Sequence, residues 1–215
     1  MAYGDNRTTV ETDAFPSSID SGWQNGPDLW SNLLWVTGGF VEALSTSGCI
    51  VRVGTAHAAD QYATTEVNAF KNNTSVQGVT LRGTSSTTAC YLCIVEARSG
   101  ETPTSAYVIR DVAEAGSSTE VSSDLSFADD LSSGDTITGE AEGTTIRLGT
   151  NEGAGDTERT SGTNSSHSSG EPGLFAGDDT DDTRSRSTAW EGGDITAAAA
   201  GATLQGSLMM MGVGI

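Results

Sequence analysis

Glu140-Ala141-Glu142 sets two carboxylates two positions apart, and paired carboxylates are the working groups of glycoside hydrolysis. In a strand both acids share one face. They run directly into Gly143, and no third acid follows, so the reading adopted is a solvated hairpin tip. Asp178-Asp179-Thr180-Asp181-Asp182 gathers hard oxygen donors of the kind calcium prefers. Asp178, Asp179, Asp181 and Asp182 are therefore candidate calcium ligands, although they lack the ordered spacing of an EF-hand loop. The competing reading is an acidic loop balanced by Arg184 and Arg186, and the sequence calls for no other cofactor.

Cys90-Tyr91-Leu92-Cys93 has the spacing of half a zinc site, but no second pair or neighbouring histidine completes it. In an extended strand positions i and i+3 point to opposite faces, so the two thiols read as buried small residues. His57 and His167 stand singly, and no Ser/His/Asp arrangement can be drawn around either. Gly149–Gly155 lacks the Gly-Lys-Ser/Thr and following helix of a phosphate loop. Trp23, Trp30 and Trp35 could stack on sugar rings, but near the start of a β domain they read as core plugs.

The elements that would position these residues are short. Cys49-Ile50-Val51-Arg52-Val53, Val79-Thr80-Leu81-Arg82 and Ala106-Tyr107-Val108-Ile109-Arg110 are apolar or alternating runs rich in β-branched residues. Ala89–Val95 is almost wholly apolar, as a central strand buried on both faces would be. Ser133-Gly134-Asp135 opens Thr136-Ile137-Thr138, and Glu142-Gly143 turns into Thr144–Leu148. No sustained i, i+3, i+4 stripe exists, so helices should be few; residues 111–131 are the nearest exception. Residues 151–172, rich in Gly, Ser and Thr, read as a long exposed loop. The expected class is all-β, an antiparallel sandwich.

The chain has 215 residues and a net charge of −19, which argues against nucleic acid and anionic membranes as partners. A single lysine stands against nine arginines, a bias that suits codon usage or a salty habitat better than a mechanism. Three cysteines are an odd number, against a disulfide framework. Met1–Asp5 shows neither a basic nor an apolar run, so the expectation is a protein made in a host cytoplasm.

Several runs, taken in order, resemble a family. Asp60-Gln61-Tyr62-Ala63, Gly78–Arg82, Tyr91-Leu92, Tyr107-Val108-Ile109, Ser133–Ile137, Glu142–Leu148, Gly170–Leu174 and Trp190-Glu191-Gly192-Gly193-Asp194-Ile195 are similar to a concanavalin A-like lectin/glucanase jelly roll of the laminin-G-like type. The versions it resembles occur in phage and bacterial proteins of unassigned activity. The resemblance covers roughly residues 15–195. It implies two antiparallel sheets face to face, with a first strand near Phe15–Trp23 pairing with the last near Ala189–Ile195. Within that last strand Trp190 and Ile195 read as apolar anchors, with Glu191 and Asp194 mostly facing solvent. Glucanases of this superfold carry Glu-x-Asp-x-(x)-Glu on one strand, a pattern Glu140-Ala141-Glu142 does not complete. Laminin-G-like domains often bind calcium at the sandwich rim. After Leu148 this chain departs from the family's aromatic or aliphatic continuation, with a long polar stretch from Gly149.

Three parts follow: an N-terminal arm over residues 1–14, the jelly roll over 15–195, and a tail over 196–215. The tail is Ala-rich and then apolar, with Leu204, Leu208, Met209, Met210, Met211 and Val213. Either it folds back as an extra strand, or it docks on a neighbouring chain through adaptable methionines. The expected role is a non-enzymatic phage virion protein, a capsid decoration or cement or another head- or tail-associated component. Its partners would be a major capsid protein, other virion proteins and copies of itself. The alternative is a lectin-like carbohydrate-binding module whose rim loops take a cell-surface glycan, with calcium as an optional aid.

Overall fold

The computed structural model describes residues 3–4, 6–15, 22–25, 34–36, 39–43, 47–52, 55–69, 75–84, 89–97, 105–113, 117–124, 131–151, 155–178 and 185–196. Fifteen strands follow in order: β1 (Arg7–Asp13), β2 (Trp23–Asn25), β3 (Leu34–Val36), β4 (Val41–Ala43), β5 (Ser47–Arg52), β6 (Gln61–Ala69), β7 (Ser75–Gly83), β8 (Cys90–Ala97), β9 (Ser105–Val112), β10 (Ser118–Asp124), β11 (Thr136–Glu142), β12 (Thr145–Asn151), β13 (Thr157–Thr163), β14 (Glu171–Asp178) and β15 (Arg186–Ile195). No described residue is helical.

One sheet runs β13-β12-β11-β6-β15-β4-β3, with β1 also paired to β15; the other runs β10-β9-β8-β7-β14-β5-β2. Every strand pair is antiparallel, and the two sheets pack as a jelly-roll sandwich, as expected. Alternation selects the core. Ala63 and Val67 of β6, Ile137 and Ala141 of β11, and Ile146 and Leu148 of β12 meet Val79, Tyr91, Tyr107 and Leu174 from the opposite sheet. Trp190 fills the middle, edge-on to Trp23 at 4.8 Å between centroids, and its Nε1 donates to Gly173 O at 3.2 Å.

β8 is buried on both faces. Tyr91, Cys93 and Val95 point into the core, while Cys90, Leu92 and Ile94 join Ala106, Val108, Val112 and Phe175 in a second apolar cluster. The two thiols thus lie on opposite faces, and neither is bonded to a partner cysteine.

Several expectations move. The chain's first strand does pair with its last, but that first strand is β1, in register from Arg7↔Ile195 to Asp13↔Trp190. The polar stretch read as an arm is therefore largely an edge strand, whose exposed side chains need no apolar alternation. Phe15 and Trp23 are core residues beyond it. Residues 151–172, read as a loop, contain β13, an edge strand of Thr, Ser, Glu and Arg pairing β12 from Thr163 to Thr157. Residues 111–131, the helix exception, contain the end of β9 and all of β10. The turn signals hold: Gly143 takes φ 56° in the β11–β12 hairpin, and Gly134 takes φ 96° before β11.

Two glycines let β1 close. A Cβ on Gly193 would stand 2.0 Å from Thr8 O, and one on Gly192 would stand 2.4 Å from the Trp190 ring. Only hydrogen at these positions lets the first strand and the indole lie on β15 together.

Candidate functional site

β6, β11 and β15 lie side by side in the first sheet, with Glu140↔Tyr62 and Thr64↔Glu191 in register. On β6 the alternate residues Ala63, Thr65 and Val67 are turned inward, so Tyr62, Thr64 and Glu66 must point the other way. On this outward face a pocket of about 250 Å³ opens. Thr64, Glu66, Thr136 and Glu191 supply its floor, and Thr12, Asp13 and Ala14, at the end of β1, supply a wall. Ala14, Ala189 and Trp190 complete the lining, so a few hydroxyls and carboxylates converge in a largely apolar concavity, the usual composition of a small-ligand site.

The wall is held rigidly. Phe15 takes φ 45°, a left-handed conformation that costs an L-residue about 1–2 kcal/mol. Compensation comes from burial of its ring against Trp23, 5.8 Å between centroids, and from Asp13. Asp13 Oδ1 accepts from Phe15 N and Oδ2 from Trp23 Nε1, both at 2.8 Å. The turn that places Thr12–Ala14 over the floor is thereby tied to the core.

The floor is ordered too. Tyr62 donates its hydroxyl to Glu191 Oε1 at 3.1 Å, and Thr9 Oγ1 lies 2.8 Å from the Tyr62 phenol oxygen. Burial, together with the Glu191 carboxylate, pushes the Tyr62 phenol up to about 12, so it stays a donor at neutral pH. Glu66 Oε1 accepts from Thr188 Oγ1 at 2.8 Å, and Thr64 and Thr138 hydroxyls meet at 2.8 Å. Glu191, expected to face mostly solvent, does lie on the outward face, half-buried in the lining of the pocket.

Beside the pocket, residues before β1 cover the β11–β12 surface. Tyr3 donates to Thr138 O at 2.9 Å, and its ring lies where a side chain on Gly149 would stand. Glu140 Oε1 accepts from Gly4 N at 3.0 Å and pairs with Arg7 Nε at 2.7 Å. Glu140 is therefore not at a solvated hairpin tip; its side chain is 2% exposed, and Arg147 bridges it to Glu142. The pair singled out by spacing is split, one acid locked under the N-terminal residues and one at the turn. Gly149, where the chain leaves the family pattern, continues β12 and makes room for Tyr3.

At the end of the sandwich the fold does assemble a Ser, a His and an Asp, which sequence reasoning missed. Asp111 Oδ1 lies 2.8 Å from His167 Nε2, and its Oδ2 accepts from Ser166 Oγ at 2.6 Å and Asn164 Nδ2 at 2.9 Å. The carboxylate, not the imidazole, sits at the centre and takes the hydroxyl's hydrogen bond, so the arrangement is a clamp rather than a nucleophile with its imidazole base. Burial lifts the Asp111 carboxyl, but the bonds from Ser166, Asn164 and His167 outweigh it and hold it below the usual range. His57 is fully buried, 3.7 Å from Asp194 and 4.0 Å from Glu171.

The calcium candidates are not assembled in what is described. Asp178 ends β14, and Asp179, Asp181 and Asp182 lie outside the described residues, as do Leu204, Leu208, Met209, Met210, Met211 and Val213 of the tail. Among the described residues no three acids, histidines or cysteines are grouped to hold a metal ion. Trp23 and Trp190 are core plugs, 6% and 2% exposed; Trp30 lies outside the described residues.

No family model matches the chain, and no curated protein is significantly similar to it in sequence. Solved structures share the fold. The carbohydrate binding module CBM66 from Bacillus subtilis superposes with a TM-score of 0.57 at 14% identity, covering 84% of this chain and 97% of that one. The exoplasmic/lumenal domain of VIP36 in its Ca2+/Man2-bound form gives 0.60 at 8% identity, over 90% and 91%. The GH43 protein BlXynB from Bacillus licheniformis gives 0.57 at 13%, over 84% of this chain but 38% of its own. The first of these is a carbohydrate binding module and the second is sugar-bound, and none of the three is described as a phage or virion protein.

Proposed function

We propose that the protein is a non-catalytic, lectin-like carbohydrate-binding module that seats a saccharide in the pocket on β6, β11 and β15. One observation carries the reading: a concavity of about 250 Å³ in which apolar surface, with Ala14, Ala189 and Trp190 in the lining, is joined by threonine hydroxyls and carboxylates on a rigid sheet, walled by Thr12–Ala14. Sugar hydroxyls are both donors and acceptors. A carboxylate oxygen accepts from them, and a threonine hydroxyl can do either. Sites built on strands hold such groups to the tolerance that recognition needs. The fold shared with a carbohydrate binding module and with a sugar-bound lumenal domain supports the same class. The virion role, by contrast, rested on the tail and on the family resemblance, and the geometry of the described residues adds nothing to it.

A panel of immobilised glycans, with and without calcium, tests the reading. Binding is expected to at least one saccharide and to be lost in Thr64→Trp, which fills the pocket, with the β-sheet circular-dichroism signal unchanged. Binding that survives Thr64→Trp puts the site elsewhere, and a panel with no ligand removes the reading.

A further inference from the structure

The pocket's charge is one-sided. Asp13, Glu66 and Glu191 line it, and among the described residues no lysine, arginine or histidine does. Among the described residues, Arg7 pairs with Glu140 and Asp156, and Arg186 Nε pairs with Glu42 at 2.8 Å over the Phe40 ring, so both guanidiniums are engaged by other acids.

The three acids are not equivalent. Asp13 commits both oxygens to the wall, to Phe15 N and Trp23 Nε1. Glu66 and Glu191 each commit one oxygen, Oε1, to Thr188 and Tyr62, and among the described residues nothing takes their Oε2 atoms. Glu66 lies opposite Ala189, and Glu191 lies opposite Thr64, so the two acids are diagonal neighbours across one strand pair. Such neighbours stand about 7–8 Å apart at the backbone. That spacing lets one small cationic group lie between the two carboxylates.

Resting on the glycan reading above, we infer that the pocket discriminates by charge: its preferred ligand is a saccharide bearing a protonated amino group, and it rejects uronates and other anionic sugars. An ammonium offers three donors to the two open carboxylate oxygens. Charge-assisted bonds of this kind are roughly twice as strong as the neutral bonds an N-acetyl or hydroxyl group would make. A uronate would bring a fourth carboxylate into a concavity where no described residue offers a cation to receive it, an obstacle built from repulsion rather than from shape.

The test compares glucosamine oligosaccharides, their N-acetylated counterparts and oligogalacturonates by titration calorimetry at low and high salt. A chain of net charge −19 attracts any cation, so the variants decide the matter: Glu66→Gln and Glu191→Gln in the pocket, against Glu120→Gln, an exposed acid on β10 of the other sheet. Expected are roughly tenfold tighter binding of the amino than the N-acetyl oligosaccharide, loss of most of that preference in each pocket variant, and its retention in Glu120→Gln. Equal binding of amino and N-acetyl forms, oligogalacturonate bound as tightly as either, or an equal loss in Glu120→Gln would overturn the inference while leaving a neutral-glycan site intact. If no saccharide binds, the proposed function fails and this inference with it.

Discussion

The Arg7 guanidinium and the Glu140 carboxylate meet at 2.7 Å, with 14% and 2% of their side chains exposed, across 133 residues of sequence. Removing one member of such a pair strands the other, at a cost of about 3–5 kcal/mol, whereas replacing both with apolar groups can be nearly neutral. Glu140→Ala is therefore expected to destabilise the fold by about 3 kcal/mol in urea unfolding. The double variant Arg7→Met/Glu140→Leu should recover much of that loss. A single-variant effect below about 1 kcal/mol, the level of an exposed pair, would contradict the burial argument.

Gly193→Ala should detach the first strand. The added methyl meets Thr8 O at 2.0 Å, backbone rather than a side chain that can rotate away. We expect a loss of at least 1–3 kcal/mol, the cost of overpacking. Amide exchange should quicken in Arg7–Asp13 while β8 and β9 keep their protection. Uniform protection across β1 in the variant would show that the strand accommodates the methyl.

Two carboxylates should pull the acid limb of the stability curve in opposite directions. Asp111 is held low in the folded state, so its contribution is complete above the unfolded value and disappears as pH falls through the folded one. Glu171 is raised, first by burial and then by Glu11 and Asp194, with a partly opposing backbone bond from His57. Its folded form keeps a proton that the unfolded chain has already lost, so stability falls as pH rises from the unfolded value through the folded one. Chemical denaturation from pH 3 to 7 should find Asp111→Asn less stable than the parent at pH 7, the gap narrowing in acid. Glu171→Gln should be more stable at pH 7, the gain vanishing in acid. Parallel curves for either variant would refute the corresponding shift.

Tyr62→Phe removes the hydroxyl that joins Thr9 to the Glu191 carboxylate. Stability should drop by about 1 kcal/mol, the worth of a typical hydrogen bond. The more specific outcome is on binding. Glu191 loses its anchor at the pocket floor, so saccharide affinity should fall more than the folding cost explains, with Thr9→Val reproducing the folding cost alone. Unchanged affinity in Tyr62→Phe would mean that Glu191 holds its place without the phenol.

The sandwich was legible because its central strands carry an unambiguous pattern. Ala89–Val95 could only be buried on both sides, and β8 is. Turn residues at Gly134 and Gly143 marked hairpins with positive φ. Edge strands were illegible for the complementary reason. β1 and β13 face solvent along much of their length, so their composition is that of a loop. Pocket residues escaped because pairing across strands, not spacing along one, brings them together. Nothing local links Glu66 to Glu191, or Ser166 to Asp111. The spacing that did catch the eye, Glu140 and Glu142, misled because the Tyr3–Arg7 segment that buries Glu140 lies more than a hundred residues earlier.

β1 closes against a partner at the far end of the chain: Asn6 O accepts from Thr196, 190 residues away. On a ribosome, the strand that walls the pocket is made first and can be seated last. Until β15 emerges, Arg7–Asp13 has no edge to join, and the concavity floored by Glu66 has no side. The non-local closure puts such a chain among slow folders, since a long loop must be ordered before its ends reward it. Competence to bind would then arrive in a single late event, coincident with completion of the sheet rather than growing strand by strand.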